Sequence, residues 1–271
     1  MRDTNDIYLC QLSETVSCGA CCGLYNLPNL SREKLEILLS NRTKDFESVP
    51  RTEDGIFEFQ RRNKGPHRLS RPFPQFHHCP FLGLIGCEKS CVGCLLHPAI
   101  PGNNGVDYRS LSWYGEVACR TYFCPTTKKL PSVYQSILIM IIDDWYDFGL
   151  IVTEHFLVTA YFKEVESRLG RHITVSDYTQ NLMAASSFTE FTQLKSKWPY
   201  RRQDAPAPCN FFFENGLYLR PAVFRATSDI RISPYENILK ELDSGFSSVQ
   251  EIEAADQLLD DLFLKAERAL M

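Results

Sequence analysis

Nine of the chain's 11 cysteines fall between Cys18 and Cys124, in three tight groups. Cys18-x-x-Cys21-Cys22 comes first, then Cys79 with Cys87-x-x-x-Cys91-x-x-Cys94, then Cys119 and Cys124. Thiolate is the soft ligand for zinc, Cu(I) and iron–sulfur centres, and short spacing lets one turn offer two sulfurs to one ion. The same groups without metal would be oxidisable thiols. Whatever fold this chain adopts, it has to place these loops where their sulfurs are of use.

The rest of the composition says which context those thiols meet. At 271 residues and 44% hydrophobic content, the chain can bury a core without disulfide staples. The N-terminus, MRDTNDIYLC, has no apolar core of the kind a secretory signal needs. The most apolar run, Ile137 to Ile142, stops at Asp143-Asp144, which a bilayer centre would penalise. The expectation is a cytoplasmic protein with no membrane partner, in a compartment where thiols stay reduced and dense cysteine pairs favour metal over disulfide. A net charge of −4 gives no electrostatic case for nucleic acid. The one basic stretch, Arg61, Arg62, Lys64, His67, Arg68 and Arg71, reads as a solvated loop ahead of a phosphate-binding patch.

Composition changes near residue 130. We expect a cysteine-rich, metal-binding domain over 1–130 and a mainly helical domain over 131–271. The fold class expected is α+β, mainly α: a loop-rich half organised by metal, packed on a helical half with a small β-hairpin. Ser31 is placed to cap a helix running through Ser40. Asp54-Gly55 reads as a turn before a short strand, Ile56–Phe59. The second half reads as one apolar helix from Val133 to about Phe148, another over 151–169 ended by Gly170, and a third from Ser176 to about Lys197. Asn215-Gly216 between Phe211 and Arg220 is a hairpin signal. Residues Val249 to Leu270 form an amphipathic helix with Ile252, Leu258, Leu259, Leu262 and Ala266 on one stripe.

The candidate metal ligands are Cys18, Cys21, Cys22, Cys79, Cys87, Cys91, Cys94, Cys119 and Cys124. Nine thiolates exceed the four that a structural zinc takes, which suggests two metals or a metal with spare thiols. Arg120 is placed either to offset polythiolate charge or to make a surface ion pair. Cys10 and Cys209, far from the groups in sequence, are expected to stay unliganded, and His77 and His78 are weighed as hydrogen-bond donors to sulfur, with solvent exposure preferred. His97 is weighed as a ligand, with a loop or packing role preferred.

The order of a Cys-Cys pair, Cys-Pro-Phe-Leu at 79–82, Gly-Cys-Leu-Leu-His-Pro at 93–98 and Cys-Arg-x-Tyr-x-Cys at 119–124 resembles the zinc- or iron-chelating cysteine-cluster family of the YkgJ type. The resemblance covers roughly residues 18–124, and the first cysteine of the family's long form would fall at Thr15. It implies metal binding and no particular reaction. The flagellin lysine N-methylase group shares the cysteine cluster, which keeps a protein-modifying enzyme in view.

Other patterns are weaker. Cys87-x-x-x-Cys91-x-x-Cys94 has radical-SAM spacing, but Gly93 replaces the usual aromatic residue and no parallel βα barrel follows. Asp143-Asp144-x-x-Asp147 stands alone, without the second acidic motif of an isoprenoid synthase, and reads as the polar side or end of a helix. Glu154 and His155 lack the repeated Glu-x-x-His pairs of a di-metal bundle, which leaves His155 as a satisfied core residue. The leading expectation is a metal-binding protein holding zinc, iron or an iron–sulfur cluster, which spacing alone does not separate. The alternatives are a metal- or iron–sulfur-dependent enzyme modifying a protein or peptide, methylase-like or radical-type, and a scaffold with structural zinc that holds a protein partner through its helical half.

Overall fold

The structure, a computed structural model, describes residues 9–13, 16–28, 31–65, 67–86, 88–112, 115, 119, 121–205, 208–209, 211–212 and 215–271. Its architecture is α+β and mainly α. Chain contacts divide it into two compact units, one comprising Tyr8–Cys124 with Asp144–Gly149 and the other Pro125–Asp143 with Leu150–Met271. Among the described residues, no helix is long and apolar enough to cross a membrane.

In the cysteine-bearing unit, helix α1 spans Arg32–Glu47, longer than expected. Ser31 caps it by accepting from Lys34 N–H. Leu35, Leu39 and Phe46 point inward at helical spacing, and Arg42 and Thr43 lie on the same buried face. Helix α2, Glu53–Arg62, replaces the strand expected at Ile56–Phe59. Thr52 caps it through Gly55 N–H, acids fill its first turn and Arg61 and Arg62 its last, so every end signal is helical. Ile56 and Phe59, read as alternation, are one helical turn apart and both buried. Gly55 permits the entry, since a Cβ there would stand 2.4 Å from the Pro50 carbonyl oxygen.

Strands β1 (Leu82–Ile85) and β2 (Cys91–Cys94) form an antiparallel hairpin in the register Leu82 to Cys94 and Ile85 to Cys91. Thr43 Oγ1 donates to Leu84 O at 2.9 Å, tying α1 to β1. Phe46, Val49, Ile56, Phe59, Phe81, Leu95 and Leu96 make the local core. Phe59 and Phe81 stack at 5.7 Å while Phe46 meets Phe59 edge-on at 5.0 Å. Each buried ring contributes roughly 2–3 kcal/mol by removal of apolar surface from water.

The other unit is helical: α3 (Thr126–Lys129), α4 (Ser132–Ile141), the last residues of α5 (Trp145–Ile151), α6 (His155–Leu169), α7 (Val175–Thr179), α8 (Leu182–Lys197), α9 (Glu236–Glu241) and α10 (Val249–Leu270). Two expected helices are broken. The apolar run ends at Ile141, and Asp144 starts α5 by accepting from Tyr146 and Asp147 N–H, so this aspartate is a cap. The helix expected from Ser176 splits because Asn181 is a strong internal cap, accepting from Met183 and Ala184 N–H at 3.0 and 3.1 Å. Gly170 ends α6 in the left-handed conformation, as expected. Tyr161, Phe162, Phe188, Phe191 and Phe263 interlock in the core, with Tyr161 4.6 Å from Phe191 and 5.6 Å from Phe263.

No strand forms over the described residues between Phe211 and Arg220; Phe213 and Glu214 lie outside the described residues. Asn215 Oδ1 still accepts from Leu217 N–H, so the turn exists without a ladder. Arg220 is instead drawn into a buried ion cluster with Glu154 and Asp243, and Tyr218 Oη accepts from Phe156 N–H. A two-residue parallel pair, β3 (Phe224–Arg225) with β4 (Gly245–Phe246), is a second sheet among the described residues.

Candidate functional site

The cysteine groups are brought together by backbone hydrogen bonds between distant loops. Gln11 bridges Ser17, and Cys18 N–H donates to Cys10 O at 2.9 Å, which sets Cys10 beside Cys18. A single 3₁₀ turn, Ala20–Cys22, follows and closes on Gly23 at φ 75°. Within it Ala20 N–H points at Cys18 Sγ, 3.4 Å away, an interaction that favours a thiolate. Cys79 N–H then donates to Cys22 O at 2.8 Å. Gly23 makes this approach possible, because a Cβ there would stand 2.0 Å from His77 O. Asn26, fully buried, accepts from Phe73 N–H and donates to the carbonyls of Phe73, Phe76 and His77, stapling the loop that leads to Cys79.

Cys94 ends β2 opposite Leu82, and Cys119 is approached by Ser112 Oγ at 4.0 Å. The thiols influence one another's ionisation. Cys22 is pushed well up by its hydrogen bond with Cys21, then by burial and by the charges of Cys21, Cys79 and Cys94. Burial pushes Cys79 up to about 11, with Cys119 and Cys21 adding to it. Burial pushes Cys94 up to about 12, with Cys79 and Cys119 adding. Burial also raises Cys18 well above its ordinary value, followed by Cys21, Cys10 and Cys124. Exposed Cys21 is the exception, lowered chiefly by the hydrogen bond from Cys22. Two overlapping sets of mutual electrostatic influence result: Cys22, Cys79, Cys94 and Cys119 in one, Cys10, Cys18 and Cys124 in the other, with Cys21 in both. Burial and the charges of Cys124, Cys21, Cys10 and Cys18 push the Tyr122 phenol up as well.

These thiols are neighbours without being in ligand geometry. Among the described residues, no three His, Cys, Asp or Glu side chains stand close enough together to hold a metal ion. The donor chemistry nevertheless fits one. Thiolates this near each other repel, and burial together with that repulsion favours the protonated forms of Cys18, Cys22, Cys79 and Cys94, with Cys21 the exception.

A positive charge is already there. Arg42 is 2% exposed and makes no ion pair with a carboxylate among the described residues. Its Nη1 donates to His78 Nε2 at 2.9 Å and to Cys79 O at 3.3 Å, and its Nη2 to Asn63 O at 3.3 Å. Burial holds it down to about 10, and Cys79 is the neighbour that favours its charged form. His78 accepts from this guanidinium, so its Nδ1–H donates to Gly23 O at 2.8 Å. It is buried, against the expectation of solvent exposure, and burial holds it neutral, at about 3.

Other expected positions fall elsewhere. Cys91 is buried at the opposite end of β2 from Cys94 and on the strand's other face, with its Sγ toward Ile85 O at 3.5 Å. Cys87 and Arg120 lie outside the described residues. His97 Nδ1 accepts from Ala99 N–H, a loop role. Cys209 is buried in the helical unit beside Thr153. His155 is a core residue packed among Phe156, Phe212 and Tyr218, but neither ring nitrogen has a hydrogen-bond partner among the described residues. Sequence reasoning passed over Arg42 and Asn26, and it set aside as unliganded Cys10, which the fold holds beside Cys18. Arg42 alone carried a signal: a charged residue on the apolar stripe of Leu35, Leu39 and Phe46.

No protein-family model, no curated protein and no solved structure matches this chain.

Proposed function

We propose that this protein binds metal through cysteine thiolates, as zinc, iron or an iron–sulfur cluster. Cys22, Cys79, Cys94 and Cys119 form one donor set and Cys10, Cys18 and Cys124 a second, with Cys21 shared. The observation that carries the reading is Arg42. A buried guanidinium without a carboxylate is costly unless negative charge develops near it; Arg42 bonds the Cys79 carbonyl, and the Cys79 thiolate is the charge that favours its protonated form. Loading would draw the thiols the last distance into a common coordination shell, and the ligation free energy would add to folding free energy.

The test is anaerobic purification followed by elemental analysis, acid-labile sulfide determination and an absorption spectrum. Stoichiometric colourless zinc or a brown iron–sulfur protein supports the reading. The substitutions Cys79→Ser and Cys94→Ser should lower the content, while Cys209→Ser, in the helical unit, should not. A protein that takes up neither metal under reducing conditions overturns it.

A second reading, a metal-dependent enzyme acting on a protein or peptide, is favoured by Cys21. That thiol is exposed and lowered, the combination expected of a reactive group or an open coordination position. Binding of an exogenous ligand such as cyanide to the loaded protein would support it, and a saturated all-sulfur site would oppose it.

A further inference from the structure

Between α2 and Cys79 the chain curls round a cavity of about 670 Å³, a size that suits a small organic ligand. Lys64, Arg68 and Arg71 line it, and no carboxylate stands among its described lining residues. Arg68 Nε donates to Pro74 O at 2.6 Å and Arg71 Nη1 to Phe76 O at 3.2 Å. Those carbonyls orient the guanidinium groups without cancelling their charge. Arg71 Nε is buried and has no hydrogen-bond partner among the described residues. Lys64 is exposed and makes no ion pair among the described residues. A neighbouring cavity lined by Ser48, Val49 and α2 differs in kind, because Asp54 and Glu58 line it along with Arg61 and Arg62.

We propose that the cavity beside Cys79 binds a small phosphorylated molecule, with its phosphate on Arg71 and within reach of Arg68 and Lys64. Arg71 is half-buried with Nη1 committed to Phe76 O, and a guanidinium held this way matches phosphate oxygens in geometry as well as charge through its remaining donors. Three cations without an acidic neighbour favour a multiply charged anion over a single carboxylate. Asn26 holds Phe73, Phe76 and His77 in place, so the wall that carries Arg71's carbonyl partner is organised before any ligand arrives. The site needs no metal. It places the ligand against Cys79, which lines the same cavity.

Titration calorimetry of the metal-free full-length chain with inorganic pyrophosphate tests this, with citrate as a polycarboxylate comparison. Expected is saturable one-site binding of pyrophosphate, tighter than citrate, and weakened about tenfold by Arg71→Gln through loss of a charge-assisted hydrogen bond. Lys64→Gln, whose side chain is exposed and makes no ion pair among the described residues, should weaken it several-fold, and Arg62→Gln, outside the cavity, should leave it unchanged. Failure of pyrophosphate to saturate, equal weakening by Arg62→Gln, or citrate binding as tightly as pyrophosphate would each overturn the proposal. Should Arg71→Gln fail to fold, Lys64→Gln decides the matter alone. Because no metal enters the titration, a negative result leaves the thiolate reading standing, and a metal-free outcome for the thiols leaves this one standing.

Discussion

The backbone N–H of Cys79 donates to the carbonyl of Cys22 at 2.8 Å, joining two cysteine groups that are far apart in the chain. The bond is possible because Gly23 turns the backbone away immediately after Cys22, and because Asn26 fixes the approach of the second loop.

Gly23→Ala should therefore be far more damaging than alanine at another left-handed glycine of the same unit. At Gly23 the new methyl meets a carbonyl oxygen at 2.0 Å, whereas at Gly105, φ 79°, nothing lies within 4 Å. Backbone strain alone costs about 1–2 kcal/mol. Gly105→Ala should lose about that much, and Gly23→Ala about 3 kcal/mol or more. Urea denaturation of the two variants reads the difference, and equal losses would mean the close approach is not present.

Metal loading should release protons. Cys79 at about 11 and Cys94 at about 12 carry their protons at neutral pH, and a ligating thiolate has none. Apparent zinc affinity should rise with pH, about tenfold per unit for each proton displaced. Calorimetry in two buffers of different ionisation enthalpy counts those protons. Heats that do not depend on the buffer would exclude these thiols as ligands.

Arg42→Met should cost about 2–4 kcal/mol, because His78 Nε2 and the carbonyls of Cys79 and Asn63 lose a buried donor. It should also make Cys79 harder to ionise, since the guanidinium lowers the Cys79 thiol. Alkylation of Cys79, followed by peptide mass spectrometry, should then need a higher pH than in the unsubstituted protein. Arg42→Lys, which keeps the charge, should restore part of the alkylation and little of the stability.

The helical unit has its own pH signature. Burial, then the nearby Glu154 charge, pushes Glu241 up to about 7 from an ordinary 4.5. The folded chain binds this proton more tightly than the unfolded one, so its contribution to stability is complete below about pH 4.5 and is lost as pH rises through 7. Glu241→Gln should remove that loss and stabilise the protein at pH 8 relative to pH 5 by something of the order of 2 kcal/mol. Lys195, held down to about 8 by burial and then Arg220, acts in the opposite sense, recovering stability between about 8 and 10.5. Denaturation midpoints across pH 5–8 in both proteins check the sign.

Local signals carried much of the architecture. Ser31 capped the helix it was placed to cap, Gly170 ended α6, and α10 runs over Val249–Leu270 as its apolar stripe required. Caps and glycine turns act within a few residues, and helical periodicity needs only a window of sequence. Where two local readings competed, the pattern alone could not arbitrate. Ile56 and Phe59 fit a strand's alternation and a helix's turn equally, and the cap from Thr52 with burial against Phe46 and Phe81 selected the helix. Asn215-Gly216 made its turn, but Arg220's partners, Glu154 and Asp243, came from elsewhere in the chain and drew the second arm away.

The residue types of the candidate site were evident from the chain alone, because cysteine spacing is a one-dimensional property and thiol chemistry needs no context to be recognised. Which thiols are neighbours was decided in three dimensions. Cys10, distant from the groups along the chain, is held against Cys18 by a bridge, while Cys91, inside a group, is turned away by strand alternation. The same holds for Arg42, which folding buried, and for Lys64, Arg68 and Arg71, which folding gathered around one cavity. A charge acquires meaning from what water is excluded beside it, and only tertiary packing determines that.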